Sequence, residues 1–567
     1  MKSRRSLNDS ISSDFIICLL IAFACVAATY PALATGAMLR GHDSGAHMLW
    51  QMHFSQVLGE GTLYPRWLPG HNLGFGSPAF FIYPPIPQFI TYLLPPFGDD
   101  PADAALRLAV SSALARTIGG LGVYWWLRSH TSRLSACIAA LAYVLAPYHL
   151  AIDVYVRAAF AEQWAFAWPP YALLAIDRLR LRPIAGLVLL VLSITAILLT
   201  HAPSALIVIP VLGFYALVNA VAARDGAPVA RFVIASLLAL LVSAPYLATM
   251  VSHLRHIPTT CLFGEQYYTG QKWLFGRSPW PNAALEIPFI VSAAVQAGVG
   301  VIALILGLAA TRRRPPAYVV FAALVLVVSV FMTTTFSTPI WDLDTPLGMI
   351  QFPWRIMTLQ VLALAALVGF GLSVLAANRS AWASVAFACV VAGVGAVAAA
   401  NYAVMRELTL VPLQPASEAP RQAREKAQQN IDTCEYRVGD AAAMASRFSN
   451  NARTIVLEGE GTASAPYWKS RRILVDTDGA TDMLIGLRQA QYSGWRYWIS
   501  NGTEGVTQAF SDNEPFITLR VPAGRHLTEV VLPADNAERT GWWLALAGVL
   551  LTIVTAVVLR RRTKSSP

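Results

Sequence analysis

Twelve long apolar runs divide the chain, and each is close to the length that crosses a lipid bilayer. A membrane-spanning helix needs about 20 largely apolar residues. Runs of this kind occur at 14–34, 104–127, 133–151, 160–177, 183–200, 203–222, 229–251, 287–309, 316–336, 355–376, 381–402 and 541–559. Lipid offers the backbone no hydrogen-bond partner, so such runs cross as helices. The sequence therefore predicts an α-helical polytopic membrane protein with about 12 transmembrane helices.

The charged residues support this reading. Only 13% of the residues are charged, 56% are hydrophobic, and the net charge is +10. With a cytoplasmic N-terminus and one crossing per run, the basic clusters at 128–133, 178–182, 224–231, 312–314, 379 and 560–564 all fall on the cytoplasmic side. This is the positive-inside pattern. The positive charge is therefore a topology signal, both termini are predicted to be cytoplasmic, and no nucleic-acid partner is expected.

One further apolar segment, 78–98, does not fit a crossing helix. It contains six prolines: Pro78, Pro84, Pro85, Pro87, Pro95 and Pro96. An interior proline removes a backbone donor and disrupts a helix. Counting the segment as a span would also invert every later basic loop. We expect a re-entrant or interfacial segment within a long outer loop, 35–103.

The chain divides into three predicted parts. Residues 1–402 form the transmembrane part, and 541–567 form a final helix with a basic cytoplasmic tail. The stretch between them, 403–540, holds 15 Lys/Arg and 17 Asp/Glu, giving a net charge of −2. Strand-like runs occur in it at 454–457, 473–476, 482–487, 495–500, 516–521 and 527–532. Short, regularly spaced strands favour an extracytoplasmic β-sandwich-like domain.

Two cysteines, Cys261 and Cys434, fall on the predicted outer side, in loop 252–286 and in the β-rich stretch. A disulfide between them requires an oxidising compartment. One pair of cysteines does not decide the question, so the pairing stays open at this stage.

The first outer loop carries a polar motif that includes His42, Asp43 and His47. If this stretch is helical, Asp43 and His47 share a face at i, i+4. A carboxylate with two imidazoles suits a general base or a metal ligand. The alternative is a solvated polar loop.

Other ionisable residues stand at the predicted outer ends of spans. Arg157 and Glu162 flank the start of the fourth run, where charges are costly and often functional. The alternative is an ion pair that fixes two helices. His201 begins the sixth run, where a structural role is the alternative. Arg355 would lie at headgroup depth, where a guanidinium suits a phosphate or snorkels to ordinary lipid.

These acids, imidazoles and arginines come from several predicted outer loops and meet at one membrane face. The arrangement suggests a site for a substrate whose phosphate is attached to lipid. No P-loop, GxGxxG, HExxH or GxSxG elbow occurs in a convincing context. ATP-driven transport therefore has no support in the sequence.

Several short motifs occur in a specific order along most of the chain. They are His42-Asp43, Leu63-Tyr64-Pro65-Arg66-Trp67, Gly74-Phe75-Gly76-Ser77-Pro78, Arg157-Ala158-Ala159-Phe160-Ala161-Glu162, Thr200-His201, Gln351-Phe352-Pro353-Trp354-Arg355, Tyr492-Ser493-Gly494-Trp495 and Val521-Pro522-Ala523-Gly524. In these motifs the chain resembles bacterial polytopic membrane proteins labelled "6-pyruvoyl-tetrahydropterin synthase-related". Those proteins are similar to the GT-C superfamily of lipid-linked glycosyltransferases and to YfhO-like membrane proteins. Without a soluble zinc–histidine site, pterin chemistry is not expected.

The resemblance implies a membrane glycosyltransferase of the GT-C type. Such enzymes place an essential acid in the first outer loop, where Asp43 is the matching residue, and often a second in the next, which would be Glu162. The implied partners are membrane lipid, a polyprenyl-phosphate-linked sugar, and a glycan or lipid acceptor. The implied location is the bacterial inner membrane. This chain has His-Asp where an acidic pair is usual.

The expected mechanism follows from that resemblance. Asp43 accepts the proton of an acceptor hydroxyl, and Glu162 orients the acceptor. A divalent metal, Mg²⁺ or Mn²⁺, would take Asp43, Glu162 and His47 as ligands. The expected substrate- and phosphate-binding residues are His42, His47, Arg66, Arg157, His201 and Arg355. Two other functions stay open: a transporter or flippase of lipid-linked sugars, and a non-catalytic envelope assembly protein.

The β-rich stretch also carries aromatic residues: Tyr467, Trp468, Trp495, Tyr497 and Trp498. We expect them to form the core of the sandwich and to pack on the membrane part. Stacking on sugar rings is the alternative.

Overall fold

The computed structural model describes residues 2–35, 41–258, 261, 274–275, 283–343, 345–408, 418–449 and 452–565. Most of this part is helical. The α-helices are α1 (Lys2–Thr35), α2 (Ser44–Gly59), α3 (Ala79–Ile82), α4 (Ile86–Tyr92), α5 (Pro101–Leu127), α6 (Arg133–Val144), α7 (Phe160–Ala165), α8 (Pro169–Leu181), α9 (Pro183–Leu198), α10 (Ala202–Ala223), α11 (Ala227–Val242), α12 (Ala244–His253), α13 (Ala283–Ala309), α14 (Ala317–Phe331), α15 (Thr338–Trp341), α16 (Met357–Ala377), α17 (Ala381–Leu408), α18 (Ala419–Gln429), α19 (Ala441–Ser446) and α20 (Asn536–Ser565).

Seven helical segments of the described chain are long and apolar enough to cross a membrane. They are Ser12–Ala34, Arg133–Val156, Ala202–Ala223, Glu286–Ala309, Pro353–Ala377, Ala381–Tyr402 and Asn536–Arg561. Helices α11 and α12 add an eighth if the pair, bent by 66°, is one span. The shorter helices α9 and α14 match two more of the apolar runs. The prediction of a polytopic helical membrane protein is thereby confirmed, while the number of 12 crossings stays a prediction.

Two further apolar runs are interrupted, besides run 229–251 with its bend between α11 and α12. The run 160–177 is divided into α7, which ends at Ala165, and α8, which begins at Pro169. Proline fits the first turn of a helix but not its interior, so Pro169 and Pro170 start a new helix. The run 133–151 changes after Pro147 into a wider π-helix, Tyr148–Val156. Such wide turns are frequent at functional sites.

The proline-rich segment 78–98 is not one continuous helix. It forms the two short helices α3 and α4, and prolines stand at the start of each. Phe80 and Phe81 of α3 are fully buried. Whether the segment re-enters the membrane or lies at its surface stays a prediction.

The nine β-strands found among the described residues lie in the stretch where the sequence predicts a sandwich. They are β1 (Thr454–Glu458), β2 (Gly461–Lys469), β3 (Arg472–Gly479), β4 (Met483–Ala490), β5 (Arg496–Ile499), β6 (Glu504–Val506), β7 (Gln508–Ala509), β8 (Phe516–Val521) and β9 (Gly524–Val531). They form antiparallel sheets of order β1-β4-β8-β7 and β2-β3-β9-β5-β6. Side chains from both sheets, such as Val475 and Ile485, join one buried cluster. The two sheets therefore pack as a β-sandwich.

The first outer loop packs directly on the sandwich. Trp67 is fully buried, with its ring centroid 5.5 Å from that of Tyr492 and 5.9 Å from that of Trp495. Ser470 Oγ donates to the Trp67 carbonyl at 2.6 Å. These residues belong to the same buried cluster as the sheets. Loop and sandwich therefore share one hydrophobic core, and the sandwich is not a separately tethered module.

The disulfide left open by the sequence is formed in the structure. Cys261 and Cys434 are bonded, and their Cα atoms are 5.8 Å apart. The bond joins the chain after α12 to the segment between α18 and α19. It therefore crosslinks two parts of the chain that the sequence places on the outer side.

A close helix contact yields a prediction on stability. A Cβ atom on Gly371 of α16 would lie 2.5 Å from the Ala303 carbonyl oxygen of α13. We expect Gly371→Ala to lower the free energy of unfolding by about 1–3 kcal/mol, because the two helices must separate. The measurement is the thermal unfolding of the detergent-solubilised protein.

Gly395→Ala is the matched control, because in the described chain no heavy atom beyond the adjoining residues and nearby backbone of its own helix lies within 4 Å of a Cβ built there. Alanine is the better helix former, so this change should leave stability equal or slightly higher. Equal melting temperatures for the two variants would contradict the packing argument.

Candidate functional site

A buried carboxylate between two arginines forms the centre of the candidate site. Glu162 lies in the first turn of α7 and is 2% exposed. Its Oε2 accepts a hydrogen bond from Arg157 Nη1 at 2.8 Å and lies 3.3 Å from Arg355 Nε. Arg157 follows the π-helix, and Arg355 lies in the turn Pro353–Ile356 before α16. Two neighbouring segments and one distant in the sequence therefore meet at one carboxylate.

Two further buried residues, Tyr148 and Asp153, complete this cluster. The Tyr148 hydroxyl donates to Glu162 Oε1 at 2.7 Å, and Arg157 Nη1 also donates to Asp153 Oδ1 at 2.6 Å. Asp153 Oδ2 is buried without a hydrogen-bond partner in the described chain. Neither residue is among the candidates expected from the sequence. The available signal for Asp153 was an acid just outside the end of an apolar run, close to the membrane edge, and Tyr148 gave none.

Asp43 adjoins this charge cluster through the backbone. It stands at the start of α2, and its amide donates to the Arg157 carbonyl at 2.8 Å. Its side chain is exposed and caps no helix amide. Gly41 allows the approach, because a Cβ there would lie 2.5 Å from the Cβ of Ala158. Asp43 also lies within electrostatic reach of the Arg157 guanidinium.

His47 and Tyr83 lie beside Asp43. The His47 ring packs on Trp50, Tyr83 and Phe160, with centroid distances of 5.4, 6.0 and 5.7 Å. Burial lowers the pKa of His47 to about 4, so the imidazole is neutral at neutral pH, and its Nδ1 has no hydrogen-bond partner in the described chain. The Tyr83 hydroxyl lies within electrostatic reach of Asp43, Arg355 and Glu162. The proline-rich segment therefore brings Tyr83 to the site.

Of the other residues expected from the sequence, His201 and His42 lie near the Glu162 cluster or Asp43, and Arg66 does not. His201 is buried at the start of α10, bonds Ser204 Oγ at 2.7 Å, and lies within reach of the Glu162 charge. His42 is exposed next to Asp43. Arg66 instead forms an ion pair with Glu538 at 2.9 Å and donates to the Pro245 carbonyl at 2.7 Å. The structure therefore joins Arg66 to the base of α20 and gives it no contact with the Glu162 cluster among the described residues.

The expected metal ligands do not fit a divalent cation as they are arranged. Both oxygens of Glu162 are engaged, one by Tyr148 and the other by Arg157 and Arg355. The two guanidinium groups at this carboxylate oppose the approach of a third cation. Within the described ranges, no three His, Cys, Asp or Glu residues form a group that could hold a metal. The metal stays a prediction, and no step below depends on it.

The segment 430–436, which precedes the β-sandwich, is hydrogen-bonded to the first outer loop. Asp432 is buried and accepts hydrogen bonds from Trp50 Nε1 at 2.9 Å and from Ser77 Oγ at 2.5 Å. Glu435, next to the disulfide, lies within electrostatic reach of Asp43, and burial raises the pKa of its carboxyl. Nearby in α18, Lys426 Nζ donates to Ser44 Oγ at 2.6 Å. The part of the chain just before the β-sandwich therefore borders the site, although nothing in its sequence indicated this.

Two buried histidines stand behind this segment. The ring centroids of His53 and His71 are 5.1 Å apart, and His71 Nε2 lies 4.0 Å from Asp432 Oδ2. Burial lowers the pKa of His53 to about 4 and that of His71 to about 3. Burial also raises the pKa of Asp432 to about 6. At about pH 5, both histidines are therefore neutral instead of positively charged, and Asp432 is mostly neutral instead of negatively charged.

Comparisons with known proteins give partial structural similarities. An arabinofuranosyltransferase, AftD from Mycobacteria, matches 68% of this chain with a TM-score of 0.43 and 17% identity. The apo oligosaccharyltransferase from Archaeoglobus fulgidus matches 77% of this chain and 58% of its own, with a TM-score of 0.44 and 12% identity. The chain spans 27% of the length of AftD. No family model and no curated protein sequence matches this chain.

The fold and the site together define a class: a helical membrane protein with a packed β-sandwich and a buried Arg–Glu–Arg cluster. Similarity at the level reported above assigns no activity to this chain. The resemblance to the pterin-labelled family has no support from a family match and stays a prediction.

The histidine–aspartate group yields a prediction on pH and stability. Unfolded histidine binds a proton below about pH 6.5, whereas folded His53 and His71 do not until about pH 4 and 3. Their contribution to stability is therefore lost as the pH falls below 6.5. Asp432 acts oppositely, because between its unfolded pKa of about 3.9 and its folded pKa of about 6 only the folded state binds the proton.

We expect His71→Gln to reduce the slope of unfolding free energy against pH between 4 and 6 by one proton, about 1.4 kcal/mol per pH unit. Asp432→Asn should steepen the same slope by a similar amount. The measurement is unfolding of the detergent-solubilised protein at a series of pH values. His526→Gln in β9 is the control, and equal slopes in all variants would contradict the assignment.

Proposed function

We propose that this protein is a GT-C-type glycosyltransferase of the bacterial inner membrane. It moves a sugar from a polyprenyl-phosphate donor to a glycan or lipid acceptor on the extracytoplasmic face, the side of the 403–540 domain. The observation that carries the proposal is the contact of Glu162 with Arg157 and Arg355, with exposed Asp43 bonded to the same Arg157 backbone. A lipid phosphate needs cationic donors, and an acceptor hydroxyl needs a base.

In the proposed reaction, Asp43 is the general base. Its exposed carboxylate accepts the proton of the acceptor hydroxyl while that oxygen attacks the anomeric carbon. The bond between the anomeric carbon and the donor phosphate oxygen breaks, and the lipid phosphate leaves with the electron pair. His42 and His47, beside Asp43, would orient the acceptor.

Arg157 and Arg355 would offset the charge on the departing phosphate. Glu162 then acts as a positioning residue, because its carboxylate holds both guanidinium groups and is itself held by Tyr148. His201, which lies within electrostatic reach of Glu162, would bind the donor phosphate at the same cluster. The proposal does not use Arg66, whose guanidinium is paired with Glu538.

Replacement of the base is the direct test. We expect Asp43→Asn to slow sugar transfer about 10²–10⁴-fold, the usual contribution of a general base. The measurement is the mass of the glycosylated acceptor formed by membranes supplied with a polyprenyl-phosphate sugar.

Asp99→Asn is the matched control, because Asp99 is an exposed carboxylate of the same loop. Near-normal transfer by correctly folded Asp43→Asn would refute the base assignment. Sugar that crosses the membrane while still attached to its lipid would indicate the rival function, a flippase.

The phosphate assignment has its own test. We expect Arg355→Gln to reduce kcat/KM for the lipid-linked donor about 10²-fold, since one charge opposite the leaving phosphate is lost. The KM for the acceptor should change little. Arg472→Gln, at an exposed arginine of β3, is the control. An equal loss toward donor and acceptor would point to general disruption of the fold.

A further inference from the structure

A cavity separate from the Glu162 cluster lies where the first outer loop meets the sandwich. Its volume is about 260 Å³. One wall comes from the end of α2 and from residues 69–74, and the other comes from β2, β4 and the start of the β-rich part. None of its lining residues belongs to the Glu162 cluster.

The two walls are held together by polar contacts. Arg488 Nε donates to the Leu73 carbonyl at 2.9 Å, and Lys469 Nζ donates to the Glu60 carbonyl at 3.1 Å. Gly74 has a φ of +89°, and a Cβ there would lie 3.3 Å from Arg488 Nε, so the loop backbone passes close to the guanidinium. Hydrogen bonds between the loop and the sandwich therefore hold the two walls of the cavity in place.

Each wall carries one polar atom that lacks a hydrogen-bond partner in the described chain, and the two groups have opposite charge. Glu60 Oε2 and Arg488 Nη1 are buried without a hydrogen-bond partner in the described chain. Burial raises the pKa of the Glu60 carboxyl. Buried polar atoms are almost always satisfied in proteins. An acceptor and a donor that both lack partners in one cavity therefore indicate a ligand with hydroxyl and acidic groups.

The cavity also has an aromatic surface. The half-buried ring of Trp468 lines it, and the guanidinium of exposed Arg453 lies 5.4 Å from the ring centroid. An indole ring offers a flat apolar face and is well suited to the C–H face of a sugar. Arg453 and Arg488 outnumber Glu60 by one charge, which favours a ligand with an anionic group.

We propose that this cavity binds one acidic saccharide ring, such as a uronic acid unit of a glycan. Trp468 supplies the stacking surface, Glu60 accepts hydrogen bonds from ring hydroxyls, and Arg453 with Arg488 donates to the acidic group. The identification of that glycan as the acceptor of sugar transfer rests on the proposed function. Binding of the ring does not.

The test is saturation-transfer NMR on the full chain in detergent, with glucuronate and glucose as probes. We expect transfer to the ring protons of glucuronate and a weaker signal for glucose. Trp468→Ala should weaken glucuronate binding about tenfold, while Trp468→Phe keeps most of it because a stacking face remains. Trp498→Ala, at an exposed tryptophan of β5 outside the cavity, is the matched control.

The absence of saturation transfer to glucuronate, or a signal that Trp468→Ala leaves unchanged, would overturn the inference. Equal binding of glucose would overturn its acidic preference. The same titration on Asp43→Asn separates the two proposals: retained glucuronate binding supports this cavity whatever the transfer assay shows. Absence of sugar transfer by the unaltered chain would count against the proposed function alone.

Discussion

The ion pairs of Glu162 are the interaction on which the candidate site depends. A charge taken out of water is costly unless opposite charge and hydrogen bonds surround it. Here Arg157, Arg355 and the Tyr148 hydroxyl all converge on one carboxylate. The carboxylate therefore fixes the end of the π-helix, the start of α7 and the turn before α16 relative to one another. Removing it would leave two guanidinium groups buried together, so the cluster is a unit.

The helices were predictable because lipid leaves the sequence few choices. Long apolar runs predicted the helices but not where they break. Pro169-Pro170 divides the run 160–177 into two helices, and after Pro147 the run 133–151 continues as a π-helix. Six strands stood out as apolar or aromatic runs. β2 was missed because Pro466 and several small residues obscure its alternation, and β6 and β7 are too short to produce a pattern.

The site was partly predictable for a related reason. Arg157, Glu162 and Arg355 were noticeable because charges at the membrane edge are expensive. Partners far apart in the sequence gave no such signal. Trp50 and Asp432 are bonded across 382 residues, and nothing local in either segment indicates the other. Arg66 shows the converse, because the resemblance led us to expect a phosphate ligand there, yet its guanidinium is paired with Glu538.

Asp43 and Glu162 have different environments, and the two carboxylates therefore suit different roles in the proposed reaction. Glu162 is 2% exposed, its oxygens are occupied, and it can hold arginines but has no room to accept a substrate proton. Asp43 is exposed, and its position is fixed through its backbone, which leaves the carboxylate for chemistry. The helix that Asp43 begins, α2, is bonded through Trp50 to Asp432, next to the disulfide of Cys434. The segment around Asp432 and Cys434 therefore supports the helix that carries the proposed base. This segment contributes to the site by positioning α2 and supplies no reacting group.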